Sequence, residues 1–179
     1  AEMPEELPEE PVPEEEPEEV PDTTEIVDVS QDEDVTEPSV SSVEEYYGIP
    51  NVAIQYTGYE LTDSYPSIGE GEELFFSMDA TPGTQLLVLK FSVLNTGNED
   101  QLMNMLGYGA RFRVSVNGEA SNGALATMLL NDMQTYDDVI PAGSSVELVS
   151  IVEVPQNTSV NSIDFILRGN GENATLSLQ

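Results

Sequence analysis

The stretch that decides the fold is LLVLKFSVLNTGNED, which spans Leu86–Asp100. Every second residue from Leu87 to Val93 is apolar, whereas Lys90 and Ser92 lie between them. Successive side chains of an extended chain point to opposite faces, so this alternation places one apolar row on one side of a strand. The run then passes into Asn-Thr-Gly, residue types that are typical of turns. The stretch therefore predicts a β-strand with one buried face, followed by a loop.

The same alternation recurs along most of the chain after residue 45. The segments that carry it are 52–56, 74–77, 112–116, 146–154, 163–167 and 174–178. Together with the first stretch they make about seven short strands, and such strands bury their apolar faces when two antiparallel sheets pack together. The pattern predicts an all-β sandwich. Asn98–Leu106 and Ala124–Met133 fit either a short helix or a further strand, and the pattern does not decide between them.

The first 45 residues differ from the rest in composition. They hold 19 of the 35 Asp and Glu residues and none of the 4 Lys and Arg residues, and Pro-Glu-Glu recurs four times. Proline donates no backbone hydrogen bond and clustered carboxylates repel each other, so such a segment stays extended. We therefore predict a disordered acidic linker over residues 1–45 and one folded domain over 46–179. Alternatively, residues 23–45 dock on the domain, with Ile26–Val29 adding a strand to a sheet edge.

Composition excludes several classes of protein. The formal net charge is -31, and the only bases are Lys90, Arg111, Arg113 and Arg168. A nucleic-acid partner is not expected, because binding it requires Lys and Arg that neutralise phosphates. The chain has no Cys and no His, which removes thiolate nucleophiles, imidazole bases and the usual zinc ligands. We therefore expect neither catalysis nor a bound organic cofactor.

The sequence also bears on location. No run of about 18 apolar residues is present, so no membrane span is expected. The first residues are already acidic and do not form a signal peptide. Either the protein is cytosolic or a leader was removed before residue 1.

Three stretches carry a resemblance to a known family. Within Leu86–Asp100 a predicted strand ends in Asn-Thr-Gly at residues 95–97. ARFRVSVNGE spans Ala110–Glu119, and DDVIPAGSSVELVSIVEVP spans Asp137–Pro155 with a Pro-x-Gly turn before its strand. In these features residues 51–179 resemble the immunoglobulin-like lipoprotein domains of Gram-positive bacteria (DUF4352 and related families). The resemblance implies an immunoglobulin-like antiparallel β-sandwich of about 7–9 strands. It also implies an extracytoplasmic location, secreted or lipid-anchored at the cell surface, with the anchoring cysteine upstream of residue 1, and it brings no catalytic residues.

No bound metal is expected, and calcium is the alternative that the residue types favour. Asn98 and Asp100 crowd one predicted turn, while Asp132, Asp137 and Asp138 crowd another. Calcium prefers clustered carboxylate and carbonyl oxygens. Neither cluster has the spacing of an EF-hand loop, and a solvated acidic surface is the alternative interpretation.

Five further residues are candidates for binding. Tyr56, Tyr59 and Tyr65 could form an aromatic face for a protein or glycan, because each ring buries a large area while its hydroxyl stays polar. The alternative is that they pack at the edge of the sandwich. Arg111 and Arg113 share one strand face and could meet an acidic ligand, unless neighbouring carboxylates pair with them.

These observations favour a non-catalytic extracytoplasmic surface module that binds a protein or a cell-wall or host glycan. Two alternatives stay open. The first is a glycoside hydrolase that uses two carboxylates, and the second is a cytosolic acidic interaction protein. A precursor whose leader ends before a cysteine would separate the surface module from the cytosolic protein.

Overall fold

The structure, a computed structural model, describes residues 40–66 and 76–179. Most of the predicted linker, the Ile26–Val29 segment and the first half of the predicted strand at 74–77 lie outside the described residues, and Phe76 and Ser77 of that predicted strand are not in a strand. The division of the chain into a linker and a domain therefore stays a prediction. Within the described part the backbone is almost entirely strand and loop, which confirms the predicted all-β class.

The described chain contains one short helix and eleven strands. In chain order they are α1 (Val43–Tyr47), β1 (Val52–Thr62), β2 (Ser64–Tyr65), β3 (Met78–Asp79), β4 (Thr84–Asn95), β5 (Gln101–Asn104), β6 (Arg111–Val116), β7 (Asn122–Gly123), β8 (Asp137–Ile140), β9 (Ser145–Pro155), β10 (Ile163–Arg168) and β11 (Ala174–Ser177). The helix is too short to cross a bilayer, and no longer apolar helix is found in the residues that the structure describes.

Seven of these strands form two antiparallel sheets. Sheet I has the order β1-β4-β9, and sheet II has the order β11-β10-β6-β7. In sheet I, Val93 of β4 lies opposite Ile54 of β1 and Val146 of β9. In sheet II, Phe165 of β10 lies opposite Val114 of β6. The other four strands pair as two short ribbons, β2 with β3 and β5 with β8.

The two sheets pack face to face over one hydrophobic core. The alternating row from Leu87 to Val93, which the sequence predicted to be buried, is at most 1% exposed. Phe91 in this row contacts Phe165 of sheet II with ring centroids 5.1 Å apart. Phe165 in turn stacks on Phe112 of β6 at 4.9 Å. The period-two pattern therefore identified the inner face of both sheets.

The outer face of sheet I is buried as well, which the sequence pattern did not predict. Leu86 and Val88 of β4, together with Val149 and Ile151 of β9, are all at most 1% exposed. They form a second apolar cluster with Tyr65. Partly buried side chains cover this cluster: Met78, Ala80, Leu125 and Leu129. Sheet I is thus covered on both sides.

Residues 124–134, called the cover segment below, bring much of that covering. The amide of Ala124 donates to the carbonyl of Phe112 at 2.9 Å, and Oε1 of Gln134 accepts from the amide of Phe112 at 3.2 Å. Both ends of the segment are therefore fixed to one residue of β6. Between them the chain forms loop and turns rather than a helix or a regular strand. Neither interpretation of Ala124–Met133 was right, whereas Asn98–Leu106 does contain a strand, β5.

The cover segment also closes the free edge of β9. The amides of Leu125 and Met133 donate to the carbonyls of Ile151 and Val149, each at 2.8 Å, and the Val149 amide donates to the carbonyl of Asn131 at 2.8 Å. These bonds occupy backbone groups that an open edge strand would offer to another chain. The segment is therefore an irregular partner of β9 rather than a free loop.

The short helix α1 fixes the start of the described chain to sheet II. Ser42 caps the helix by accepting from the amide of Glu45 at 3.2 Å. The Tyr46 hydroxyl donates to the carbonyl of Glu172 at 2.9 Å, and the Tyr47 hydroxyl donates to that of Arg168 at 2.7 Å. Burial raises the pKa of Tyr47 to about 12. The helix spans the predicted boundary between residues 45 and 46, and its first residue belongs to the core.

Candidate functional site

Three of the four basic residues of the chain lie together on the outer face of sheet II. Arg111 and Arg113 are two positions apart on β6, so their side chains leave the strand on the same side. Arg168 of β10 lies directly opposite Arg111 in the register of the two strands. The fourth base, Lys90, belongs to sheet I and pairs with Glu60 at 2.7 Å. The strand register thus adds Arg168 to the pair that the sequence singled out.

None of these three arginines forms an ion pair with a carboxylate of the described residues. The Nε of Arg113 donates to the Ser121 hydroxyl at 2.9 Å, and its Nη2 donates to the Ser121 carbonyl. Nη1 of Arg111 donates to the carbonyl of Ala110 at 2.7 Å. Arg111 and Arg168 are exposed, and Arg113 is half-buried. Neutral oxygens therefore orient two of the guanidinium groups, and within the described chain no carboxylate compensates their charge.

The three arginines line a shallow depression of about 470 Å³, called the arginine depression below. Its lining consists of Arg111, Phe112, Arg113, Gly123, Ala124, Gln134, Arg168 and Gly169, with no Asp or Glu among them. At its edge two backbones approach closely. Gly169 has a φ of 107°, and a Cβ there would lie 2.0 Å from the carbonyl oxygen of Gly109. Glycine is therefore required at the end of β10, next to Arg168.

Asp132 holds the cover segment together from inside, and it is only 3% exposed. One of its carboxylate oxygens accepts from the amide of Thr127 at 2.5 Å and from the Thr127 hydroxyl at 2.7 Å. The other oxygen accepts from the amide of Gln134 at 2.9 Å. The Thr127 hydroxyl in turn accepts from the amide of Leu129 at 3.2 Å. These bonds define the conformation of the segment between Thr127 and Gln134.

The segment held in this way presents two large apolar side chains to solvent. Met128 is 74% exposed and Leu130 is 93% exposed; together they are called the apolar tip below. Leu129 between them points the other way and packs on the outer face of sheet I. Phe76, which is 51% exposed, shares with Met128 the lining of a depression of about 300 Å³.

The three candidate tyrosines lie in two different clusters. Tyr56 and Tyr59 of β1 pack on the main core, with the Tyr56 ring 5.7 Å from that of Phe91. Tyr65 belongs to the second cluster, and its hydroxyl accepts from Nδ2 of Asn131 at 3.3 Å. Burial raises the pKa of Tyr56, and its buried hydroxyl has no hydrogen-bond partner in the part of the chain that the structure describes. The structure does not bring the three rings onto one exposed face.

The five calcium candidates lie in three separate segments. Asn98 and Asp100 are exposed between β4 and β5, Asp137 and Asp138 are exposed on β8, and Asp132 is buried in the cover segment. Asp100 and Asp138 each accept from a backbone amide, at 3.1 and 2.7 Å. Over residues 40–66 and 76–179 no three His, Cys, Asp or Glu side chains are grouped so that they could hold a metal ion. Calcium stays an alternative that rests on the sequence alone.

Asn95 has a role that its place in a turn motif only partly indicated. Its Nδ2 donates to the carbonyls of Glu99 and Ile140, both at 2.8 Å, and its Oδ1 accepts from the amide of Gly97 at 2.8 Å. The buried side chain therefore ties the loop after β4 to the end of β8. The Asn-Thr-Gly motif is structural in this chain.

Sequence reasoning did not single out Arg168, Met128 or Leu130. Arg168 is 55 or more positions from the other two arginines, so only the pairing of β10 with β6 brings it to them. Met128, Leu129 and Leu130 form one apolar run, and nothing in that run says which side chain points inward. The scarcity of bases in so acidic a chain was the signal that could have drawn attention to all three arginines together.

No family model matches the chain, and no curated protein matches it. An uncharacterised β-sandwich protein from Clostridium difficile 630 is 15% identical, with a TM-score of 0.48 over 73% of this chain and 87% of that one. A protein from Bacillus subtilis subsp. subtilis strain 168, described as a candidate lipoprotein, is 14% identical, with a TM-score of 0.37 over 70% of this chain and 35% of that one.

With TM-scores of 0.48 and 0.37, neither similarity assigns a family or a function to this chain. The chain spans about a third of the length of the candidate lipoprotein, as the 35% coverage states. The resemblance to the immunoglobulin-like lipoprotein domains therefore stays a prediction from sequence, and the β-sandwich is established by the packing of the two sheets.

Proposed function

We propose that this chain is a non-catalytic, extracytoplasmic binding module that engages a protein partner through the apolar tip. The observation that carries the proposal is the exposure of Leu130 and Met128, 93% and 74%, on a segment whose conformation is fixed by buried hydrogen bonds. Neighbouring apolar side chains that together form an exposed patch mark interaction surfaces, whereas single scattered ones are normal on any protein surface. A binding loop that is already rigid loses less conformational entropy when it binds.

The chemistry of the tip favours a protein over a glycan. Met128 and Leu130 offer neither hydrogen-bonding groups for sugar hydroxyls nor an aromatic ring for stacking. Methionine is enriched in protein–protein interfaces, and its flexible side chain adapts to irregular apolar surfaces. The partner surface that fits the tip is therefore an apolar cleft on another protein.

An extracytoplasmic location is supported by composition. A Pro- and Glu-rich stretch ahead of a β-sandwich suits a spacer that holds a domain away from a surface. The test is the precursor: a leader that ends before a cysteine, with the mature protein in the membrane-associated surface fraction, supports this location. A methionine start and recovery in the cytosol would replace it with the cytosolic interaction protein.

The apolar tip is tested by site-specific crosslinking with a matched control. The full chain would carry a photo-crosslinking residue at position 130 or, as the control, at position 102, because Leu102 is likewise an exposed leucine, at 53%, but belongs to β5. We expect one cell-surface or secreted protein to crosslink at 130 and not at 102. The identified protein would then be purified and titrated with the wild type, with M128S/L130S and with L102S.

We expect M128S/L130S to lose at least about tenfold in affinity for that protein, because interface energy is concentrated in a few apolar anchors. L102S should bind within about twofold of the wild type. Equal losses for both variants, or no loss for M128S/L130S, would contradict the proposal.

The glycoside hydrolase alternative has its own test. The buried carboxylate of Asp132 is engaged by amides and a hydroxyl of its own segment, so it is not placed to attack a substrate. We expect no turnover of a panel of glycosides at any pH. Turnover that a single Asp or Glu substitution abolishes would establish the hydrolase instead.

A further inference from the structure

We propose that the arginine depression is a second binding site, and that its ligand is an acidic polypeptide segment whose Glu or Asp carboxylates meet Arg111, Arg113 and Arg168. This inference does not depend on the apolar tip. It rests on the placement of the bases, on the chemistry of the lining and on the charge of the rest of the chain.

The placement of the bases is costly for the free protein. Arg111 and Arg168 face each other across β6 and β10, and like charges at directly opposite positions destabilise a sheet. Of the 35 Asp and Glu residues, 15 lie in the described part of the chain, and none of these 15 forms an ion pair with the three arginines. An anion that enters the depression would supply the missing charge, and guanidinium–carboxylate bonds are among the strongest hydrogen bonds in proteins.

The polar side chains of the lining supply many donors and only one acceptor. The three guanidinium groups can only donate, and Oε1 of Gln134 is already occupied by the amide of Phe112. A sugar brings hydroxyl groups that need acceptors and a ring face that needs an aromatic partner. The one aromatic residue of the lining, Phe112, is 2% exposed and offers no ring face. A ligand whose polar atoms are all acceptors fits this lining, and a carboxylate is such a group.

The charge of the surrounding chain sets an upper limit on the charge density of the ligand. Residues 46–179 carry 16 acids and 4 bases, a net charge of −12. At physiological ionic strength charges interact over roughly 8 Å, so the negative groups of a ligand that extends beyond the depression meet a surface whose net charge is negative. A peptide with a few carboxylates places its charge where the arginines are. A densely sulfated or phosphorylated polymer extends the same charge over the repelling surface.

The test is isothermal titration of the full chain with a short oligoglutamate peptide with blocked ends, and with the corresponding oligoglutamine peptide. The variants are R111Q/R168Q and R113Q, and the matched control is K90Q, which removes a positive charge from sheet I and leaves the depression intact. A sulfated oligosaccharide and inorganic phosphate are titrated in parallel. Thermal unfolding without ligand accompanies each variant.

We expect oligoglutamate to bind and oligoglutamine not to bind. R111Q/R168Q should weaken binding by at least about tenfold, whereas K90Q should stay within about twofold, because each guanidinium–carboxylate hydrogen bond is worth more than a neutral one. R111Q/R168Q should unfold at the wild-type temperature or above it, since the substitution removes a repulsion between opposed charges. M128S/L130S should bind oligoglutamate like the wild type.

Three results would overturn the inference. Equal binding of oligoglutamate by wild type and R111Q/R168Q would place the ligand elsewhere, and no binding of any anion would leave the depression without a ligand. Arginine-dependent binding of the sulfated oligosaccharide or of phosphate, without binding of oligoglutamate, would show that the ligand class is wrong. None of these results affects the test of the apolar tip.

Discussion

The outer faces of the two sheets differ in burial. On sheet I, Val88 and Ile151 are 0% and 1% exposed, because the cover segment and the β2-β3 ribbon lie over them. Among the described residues, the corresponding face of sheet II is exposed or only partly buried and carries Arg111, Arg113 and Arg168. Sheet I therefore contributes two packed faces to stability, while sheet II contributes one. The two sheets of this sandwich therefore differ in how they are packed: sheet I is buried on both faces, and sheet II is buried on one.

A difference in sequence accounts for the different burial of the two outer faces. In sheet I, β4 contains the uninterrupted apolar run Leu86–Leu89, and in β9 the residues from Leu148 to Val152 are apolar except for Ser150. Uninterrupted runs are typical of strands that are buried on both faces. β6 alternates strictly, with Arg and Ser between its apolar residues, and the outer positions of β10 are Asp164, Ile166 and Arg168, two of them charged. The residue composition of the outer face of each sheet thus corresponds to whether other parts of the chain cover that face.

The largest effect is expected where the two sheets meet. Phe91 is 1% exposed and lies between Tyr56 and Phe165. Phe91→Ala should lower the free energy of unfolding by about 3–5 kcal/mol, because the cavity in a packed core closes only partly. Chemical denaturation of the variant and the wild type measures the difference. A change below about 1 kcal/mol would mean that the shared core is not where the structure places it.

A matched pair of isoleucines tests the difference between the outer faces. Ile151 lies on the covered face of sheet I, and Ile166 lies on the open face of sheet II, opposite Arg113. Ile151→Ala should cost about 2–5 kcal/mol of unfolding free energy, as for other buried isoleucines. Ile166→Ala should cost clearly less, because its side chain is already partly in water. Urea denaturation measures the loss of unfolding free energy in each variant. Equal losses for the two variants would contradict the difference in burial between the two outer faces.

A smaller effect concerns alkaline pH. Burial raises the pKa of Tyr47 to about 12, above its ordinary value of 10.0, so the folded state favours the neutral phenol. Its contribution to stability should be complete below pH 10 and should be lost as pH rises through 12. Burial also raises the pKa of Tyr56 and Tyr136, which adds in the same direction.

Thermal unfolding between neutral pH and pH 12 measures this dependence. The wild type should lose stability steeply above pH 10, and Tyr47→Phe should show a shallower loss, although it starts lower because the hydrogen bond to the Arg168 carbonyl is gone. Identical slopes for the two proteins would contradict a buried, neutral Tyr47.

The sequence was a good guide wherever structure depends on alternation within one segment. The inner row of β4 and the strands of sheet II follow from period two, and so does the shared face of Arg111 and Arg113. It was a poor guide where structure depends on contacts between distant segments. The cover segment is held by Phe112, Val149 and Ile151, none of which lies near it in sequence, so no local pattern marks it as a partner of β9.

The candidate sites divide in the same way. Arg168 joins the arginine depression through strand register, and the exposure of Leu130 depends on which way a loop held by Asp132 turns. Neither property is encoded in the spacing of residues along the chain. The tyrosines, by contrast, looked like a group in sequence and belong to two clusters on opposite sides of sheet I.

Hydrogen exchange of backbone amides, followed by NMR, tests most directly whether the cover segment is packed on sheet I. The amides of Leu125 and Met133 donate to carbonyls of β9, so they should exchange as slowly as amides within the sheets. In Asp132→Ala, which removes the carboxylate that holds the segment, both amides should exchange markedly faster while those between β6 and β10 stay protected. If both amides exchange in the wild type at the rate of an unprotected loop, the segment does not cover sheet I, and the contrast between the two outer faces fails.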